Sequence, residues 1–96
     1  MNILTLIQKE RGRILKVADT YGLKNVRLFG SIPRGEATDK SDVDFLVELS
    51  SEANLFDIIA FKQEIEELLG RKVDVVTEPS LSSYIRQEIL NEAVNL

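Results

Sequence analysis

The chain has 96 residues, of which 44% are apolar and 29% charged, and it contains neither cysteine nor histidine. This is the length of one domain, and the composition is typical of a globular protein. The missing cysteine and histidine exclude disulfides, thiolate metal sites and catalysis by histidine. Any chemistry must therefore use carboxylates, hydroxyls, lysine, arginine, the backbone and a hard metal ion.

Acidic residues outnumber basic ones by 16 to 12, which gives a net charge of −4. No segment clusters lysine and arginine densely, so we expect no direct binding of nucleic acid. No apolar run approaches the roughly 20 residues that cross a bilayer, and charged residues interrupt the apolar ones near the N-terminus, unlike in a signal peptide. We expect a cytoplasmic protein with one domain over residues 1–96 and no membrane contact.

The first half of the chain predicts a helix and two strands. Apolar residues at helical spacing predict an amphipathic helix over 2–20. Residues 26–29 predict a short strand, and Ser31 is placed to cap a short helix through about Gly35. Residues 42–49 alternate between apolar and mainly polar side chains, which predicts a second strand.

The second half predicts a long helix, a strand and a last helix. Residues 55–69 form a helical pattern closed by Gly70. Residues 72–77 predict a third strand, and apolar residues at every fourth position predict a helix from about Leu81. The apolar residues of 55–69 spread over more than one helix face, as in a helix buried on several sides or in one that contacts a partner.

Connection lengths indicate how the strands pair. The segment between the first two strands is short for a parallel crossover, so this pair should be antiparallel. The helix at 55–69 is long enough for a right-handed crossover, which makes the third strand parallel to the second. We therefore expect an α/β (α+β) fold with a small mixed sheet and helices mainly on one face.

Three aspartates fall at one edge of this sheet. Asp42 and Asp44 lie on one face of a strand, which we expect to lie opposite the core, with their Cα atoms about 6.6 Å apart. Asp74 comes from the neighbouring strand. Aspartates on strands often face solvent, but aspartate is disfavoured in strands and this edge carries three. Mg²⁺ prefers such oxygen ligands, and two ions can promote an in-line displacement at phosphorus. Asp74 would be a third ligand or the base for an incoming hydroxyl.

A glycine and a serine end the first strand. Gly30 would allow a phosphate to approach the backbone, and Ser31 would add a hydroxyl at a helix N-terminus. Gly-Ser taken alone is more often a simple turn with an N-cap. Arg34 either holds a polyphosphate or lies in solvent.

Three segments together resemble the nucleotidyltransferase superfamily that includes DNA polymerase beta. They are residues 30–35 (GSIPRG), 41–47 (SDVDFLV) and 73–76 (VDVV). The chain is most similar to the minimal nucleotidyltransferase (MNT) branch, the antitoxin partners of HEPN proteins in toxin–antitoxin pairs. The resemblance covers essentially the whole chain. It departs at Pro33, where this branch usually has alanine, and this departure leaves the direction of Arg34 open.

The resemblance implies a nucleotidyltransferase fold and a role for each motif residue. Gly30 and Ser31 would bind nucleotide phosphates, Asp42 and Asp44 would bind the metals, and Asp74 would be the third catalytic carboxylate. The reaction would transfer AMP from ATP to a hydroxyl. The acceptor would be a tyrosine of a HEPN-type toxin bound in a hetero-oligomer.

A binding module is the alternative to an enzyme. Such a protein would neutralise its partner by covering it, using apolar residues of 55–69. A cover has no need of three close negative charges, so the acidic trio favours the enzyme.

Overall fold

The computed structural model describes residues 2–96, with a four-stranded sheet at its centre. The elements in chain order are α1 (Ile3–Lys9), α2 (Arg11–Thr20), β1 (Leu23–Phe29), β2 (Val43–Leu49), α3 (Leu55–Leu69), β3 (Val73–Thr77), α4 (Ser83–Glu92) and β4 (Val94–Asn95), with a 3₁₀ turn at Glu78–Ser80. This is the small mixed α/β fold predicted from the sequence. Over residues 2–96, every helix is too short or too polar to cross a membrane.

The strand order is β3-β2-β1-β4. β1 and β2 pair antiparallel, and β2 and β3 pair parallel through α3, as the connection lengths predict. The register sets Phe29 opposite Asp44 and Asp44 beside Asp74. The end of β1 and the starts of β2 and β3 therefore meet at one edge of the sheet.

Three helices cover one face of the sheet. Val43, Phe45 and Val47 of β2 are fully buried in a core shared with α1, α2 and α3. α3 begins at a capping box in which Asn54 and Asp57 exchange side-chain and backbone hydrogen bonds. It ends at Gly70, whose φ of 66° is left-handed.

α4 covers part of the opposite face. Leu46 points to that face and is fully buried against Leu81 and Ile89. The prediction that this face lies outside the core is therefore wrong at Leu46. β4 pairs with β1 just after α4, and the Leu96 N–H donates to Val26 O (3.1 Å), so the C-terminal end of α4 is anchored to the sheet.

Two predicted helices differ in the structure. The single helix over 2–20 is divided at Glu10, beside Gly12, a weak helix former. Residues 31–35 form a turn and no helix, in which the Glu36 N–H donates to Ser31 O (2.9 Å). Left-handed Gly30 and Gly35 bound that segment and leave too few residues for a stable helix.

Three other elements also differ from the prediction. β1 begins at Leu23, three residues before the predicted start, and continues through a register shift at Asn25, whose φ is 49°. α4 begins two residues later than predicted, after the 3₁₀ turn. β4 was not predicted, because two residues are too few to show a period.

The aromatic pair in the core gives a stability prediction. Phe45 and Phe61 are fully buried with ring centroids 5.7 Å apart in an edge-to-face arrangement. Phe61→Ala should lower the free energy of unfolding by about 3–5 kcal/mol, because it removes this contact and leaves a cavity. Phe56→Ala on the same helix is the control, since Phe56 is 80% exposed. Measured by urea unfolding, Phe56→Ala should change the free energy of unfolding by no more than about 0.5 kcal/mol. Equal losses of this free energy in both variants would contradict the described core.

Candidate active site

The acidic edge is built by the pairing of β2 with β3. Asp44 and Asp74 are direct neighbours across the parallel strands, and Asp42 lies just before β2. The Val43 N–H donates to Lys72 O (2.9 Å), which starts this pairing at the same edge. The structure therefore brings the three predicted carboxylates to one edge on two adjacent strands.

Asp44 has the most perturbed environment of the trio. The pKa of Asp44 is raised from 3.8 to about 6, mainly by burial and then by the nearby charges of Asp74, Asp42 and Glu92, while Arg34 opposes the shift. A carboxylate that is partly removed from water beside two like charges is destabilised in its ionised form. A cation at this edge would relieve that repulsion.

The three carboxylates share the edge without meeting at one point. Asp42 Oδ2 lies 3.9 Å from Lys72 Nζ in a solvent-exposed pair. Among residues 2–96, no three acidic side chains converge closely enough to form a ready metal site. The donor set still fits a hard cation, since it consists of carboxylate oxygens with unrelieved like charge. Their role as metal ligands stays a prediction.

The turn after β1 lies against Asp44. Gly30 has a φ of 83°, and a Cβ at this position would collide with Asp44 Oδ2. The left-handed backbone favours glycine here, and any side chain at this position would displace the Asp44 carboxylate. Ser31 follows, partly buried. Because no helix begins here, the predicted helix N-terminus at Ser31 is wrong, and the backbone N–H groups at this position belong to a turn.

The Arg34 side chain reaches across to the end of α4. Its Nη1 donates to Glu92 Oε2 (3.1 Å) and Oε1 (3.3 Å), and its Nε donates to Glu36 Oε1 (2.6 Å). The Gly30 N–H donates to the same Glu92 Oε1 (3.2 Å). The hydrogen bonds that Arg34 donates to Glu36 and Glu92 raise the pKa of its guanidinium, which stays charged. Pro33 thus leaves Arg34 directed at the site.

Arg71, just before β3, holds the loop that precedes Asp42. Arg71 Nη1 donates to Thr38 O (3.0 Å) and Ser41 O (3.1 Å), and the Thr38 N–H donates to Ser41 Oγ (2.8 Å). These bonds fix the chain that enters β2. Asp42 is therefore placed by a tethered loop.

The structure also contains one site residue that the sequence did not indicate. Gly30 and Ser31 lie on the turn beside Asp44, as predicted, and Arg34 lies on the same turn, while Glu92 joins them from α4. Glu92 is 62 residues from Gly30 and 58 from Arg34. No local pattern marks such a contact, because only the packing of α4 and β4 against the sheet creates it.

Comparison with known proteins agrees with this geometry. Residues 11–96 match the family model of the nucleotidyltransferase domain. The chain is 38% identical over 93 residues to the protein adenylyltransferase MntA of Thermococcus cleftensis, which covers 97% of this chain and 88% of that protein.

Solved structures share the fold. One, named as a candidate minimal nucleotidyltransferase, has a TM-score of 0.87 and 38% identity, over 100% of this chain and 97% of that chain. A second is a tri-AMPylated HEPN toxin of Shewanella oneidensis in complex with an MNT antitoxin, matched with a TM-score of 0.67 and 21% identity over 92% of this chain and 69% of that one. The second likeness concerns the fold alone. With its acidic edge and its glycine turn, this chain belongs to the nucleotidyltransferase family, in its minimal branch.

Proposed function

We propose that this nucleotidyltransferase is a Mg²⁺-dependent protein adenylyltransferase that moves AMP from ATP to a hydroxyl of a HEPN-type toxin and so acts as its antitoxin. The observation that carries the proposal is the pairing of Asp44 with Asp74 directly beside the Gly30 turn. Acidic oxygens for cations and backbone donors for phosphate thus lie within one small edge. The relative MntA is itself named a protein adenylyltransferase.

Each side chain has a task in this reaction. The Gly30 N–H, the Ser31 hydroxyl and the Arg34 guanidinium would donate hydrogen bonds to phosphate oxygens of ATP. Asp42, Asp44 and Asp74 would hold two Mg²⁺ ions, whose chemistry is to polarise phosphate oxygens and to offset the charge of the leaving group.

The transfer is balanced without any further reagent. The acceptor hydroxyl oxygen forms a bond to the α-phosphorus as the bond from that phosphorus to the β-phosphate oxygen breaks, and pyrophosphate leaves. Asp74 is available to take the hydroxyl proton at its carboxylate, or to serve as third metal ligand. Holding the two reactants in line supplies much of the rate enhancement.

The proposed acceptor is a tyrosine of the toxin. A solved structure of a related complex is described as an AMPylated HEPN toxin with an MNT antitoxin. We therefore propose a hetero-oligomer of this chain with a HEPN-type partner, in which the partner presents its tyrosine to the acidic edge.

A non-catalytic cover is the second candidate, and one observation favours it. At the start of α3, Leu55 is 68% exposed, Phe56 80% and Ile59 44%. The core therefore buries only part of the apolar side chains of this helix. Exposed apolar side chains grouped in this way are a candidate contact for a partner protein.

Separating binding from transfer tests the proposal. In a co-expressed pair, Asp42→Asn/Asp44→Asn should lower adenylylation of the toxin at least about 100-fold, because the ligands that stabilise the transferring phosphate are lost. Intact-mass spectrometry of the toxin measures the added AMP groups. Phe56→Ser, at the start of α3 and so past the end of β2 that lies opposite the acidic edge, should weaken binding of the toxin and leave the folded domain intact.

The outcome for cell survival decides between the two functions. The enzyme predicts that the double variant binds the toxin, adds no mass and fails to protect the cell. Full protection by a double variant that adds no mass would overturn the enzymatic proposal and establish the cover.

The charge cluster gives a pH-dependent stability prediction. Since the folded state raises the pKa of Asp44 from 3.8 to about 6, the native protein binds more protons than the unfolded chain between these values, and stability falls as pH rises through this window. In EDTA at pH 7–8, Asp44→Asn should therefore raise the free energy of unfolding by about 1 kcal/mol, a figure reduced for solvent screening.

The gain should disappear below about pH 4, where Asp44 is protonated in both states. Urea unfolding at pH 3.5, 5 and 7.5 measures it, with Asp39→Asn in the exposed loop as the control. A loss of stability at pH 7.5 in the Asp44 variant would instead mark this carboxylate as a structural hydrogen-bond acceptor.

A further inference from the structure

The carboxylate of Glu92 occupies the donors of the glycine turn. Its Oε1 accepts from the Gly30 N–H (3.2 Å), and both of its oxygens accept from Arg34 Nη1 (3.1 and 3.3 Å). The side chain is 20% exposed and lies close enough to Asp44 to raise the pKa of that residue. A negative charge is therefore held beside an already acidic edge.

A carboxylate and a phosphate use the same kind of donor. Both accept hydrogen bonds through negatively charged oxygens, and a guanidinium binds either in the same geometry. Under the function proposed above, the Gly30 N–H and Arg34 are donors to ATP phosphates. The geometry points to Glu92 as an internal substitute for a phosphate group, which occupies this subsite in the empty enzyme and must leave it when a nucleotide binds.

The anchoring of α4 determines how Glu92 can leave. The end of this helix is fixed by β4 and by the bond from the Leu96 N–H to Val26 O. The helix need not move, because rotation about the side-chain bonds of Glu92 is enough to free both donors. The nucleotide then binds only the fraction of molecules with Glu92 turned away, which weakens its apparent affinity.

Glu92 differs from the other acidic partner of Arg34. Glu36 also accepts from Arg34, but its side chain is 63% exposed and it lies on the same turn. Of these two residues, only Glu92 also accepts a hydrogen bond from the Gly30 N–H. Competition for the phosphate subsite is therefore assigned to Glu92.

Calorimetric titration with AMP-PNP and Mg²⁺ tests this inference. Glu92→Ala should tighten binding by about three- to tenfold, because the subsite is free in all molecules. Glu92→Gln should tighten it less, since the amide still accepts from Gly30 but loses its charge. Glu88→Ala is the matched control, one turn earlier on the same helix and exposed, and it should change the dissociation constant less than twofold.

An Arg34→Ala background separates competition from general repulsion. If Glu92 competes for the subsite, the gain from Glu92→Ala should fall by at least half on a logarithmic scale once Arg34 is absent. A gain that persists in full would mean that Glu92 only repels the nucleotide at a distance, and the inference would be overturned. Should Glu92→Ala fail to fold by circular dichroism, Glu92→Gln carries the same comparison.

The result also distinguishes this inference from the proposed function. If the unaltered protein binds AMP-PNP and the Glu92 variants bind it no more tightly, the inference is wrong and the nucleotide site stands. If neither the unaltered protein nor any variant binds AMP-PNP with Mg²⁺, the proposed nucleotide site is wrong, and the inference is refuted together with it.

Discussion

Parallel pairing of β2 with β3 sets Asp44 beside Asp74, and the site depends on this register. A shift of either strand by one residue would turn its aspartate to the opposite face, into the core, and away from the other aspartate. The register is fixed because Val43, Phe45 and Val47 are fully buried on that opposite face. The apolar half of β2 thus specifies where its acidic half lies.

Stability and chemistry are opposed at this edge. Two adjacent, partly buried carboxylates disfavour the metal-free folded state, and the large core under α1, α2 and α3 offsets that cost. Gly30 shows the same opposition, because its left-handed backbone disfavours any other residue and a side chain there would displace the Asp44 carboxylate. Such local conflicts are expected where a protein keeps residues for chemistry.

Much of this arrangement follows from the sequence. Alternation in β2, the length of the 55–69 helix and the short connection between β1 and β2 are enough to predict the sheet order around the carboxylates. The break at Glu10 was not predicted, because the helical periodicity of residues 2–20 outweighs a single glycine. The turn at 31–35 was not predicted, because a serine shortly before a proline resembles a helix N-cap. The contact of Glu92 with Gly30 is set by tertiary packing over 62 residues, which no local pattern encodes.

α4 links the site to the rest of the fold. Its Ile89, together with Leu81 just before the helix, buries Leu46 on the face that carries the aspartates, and Glu92 at its C-terminal end lies at the glycine turn. This second face of the sheet is therefore neither fully exposed to solvent nor fully buried.

A calorimetric titration with ATP shows whether the acidic edge and the glycine turn form one metal-dependent nucleotide site. We expect ATP to bind at least about tenfold more tightly with Mg²⁺ than in EDTA, because the cation offsets the repulsion between the carboxylates and the phosphates. ATP binding of equal affinity in EDTA, or no binding in either condition, would contradict it.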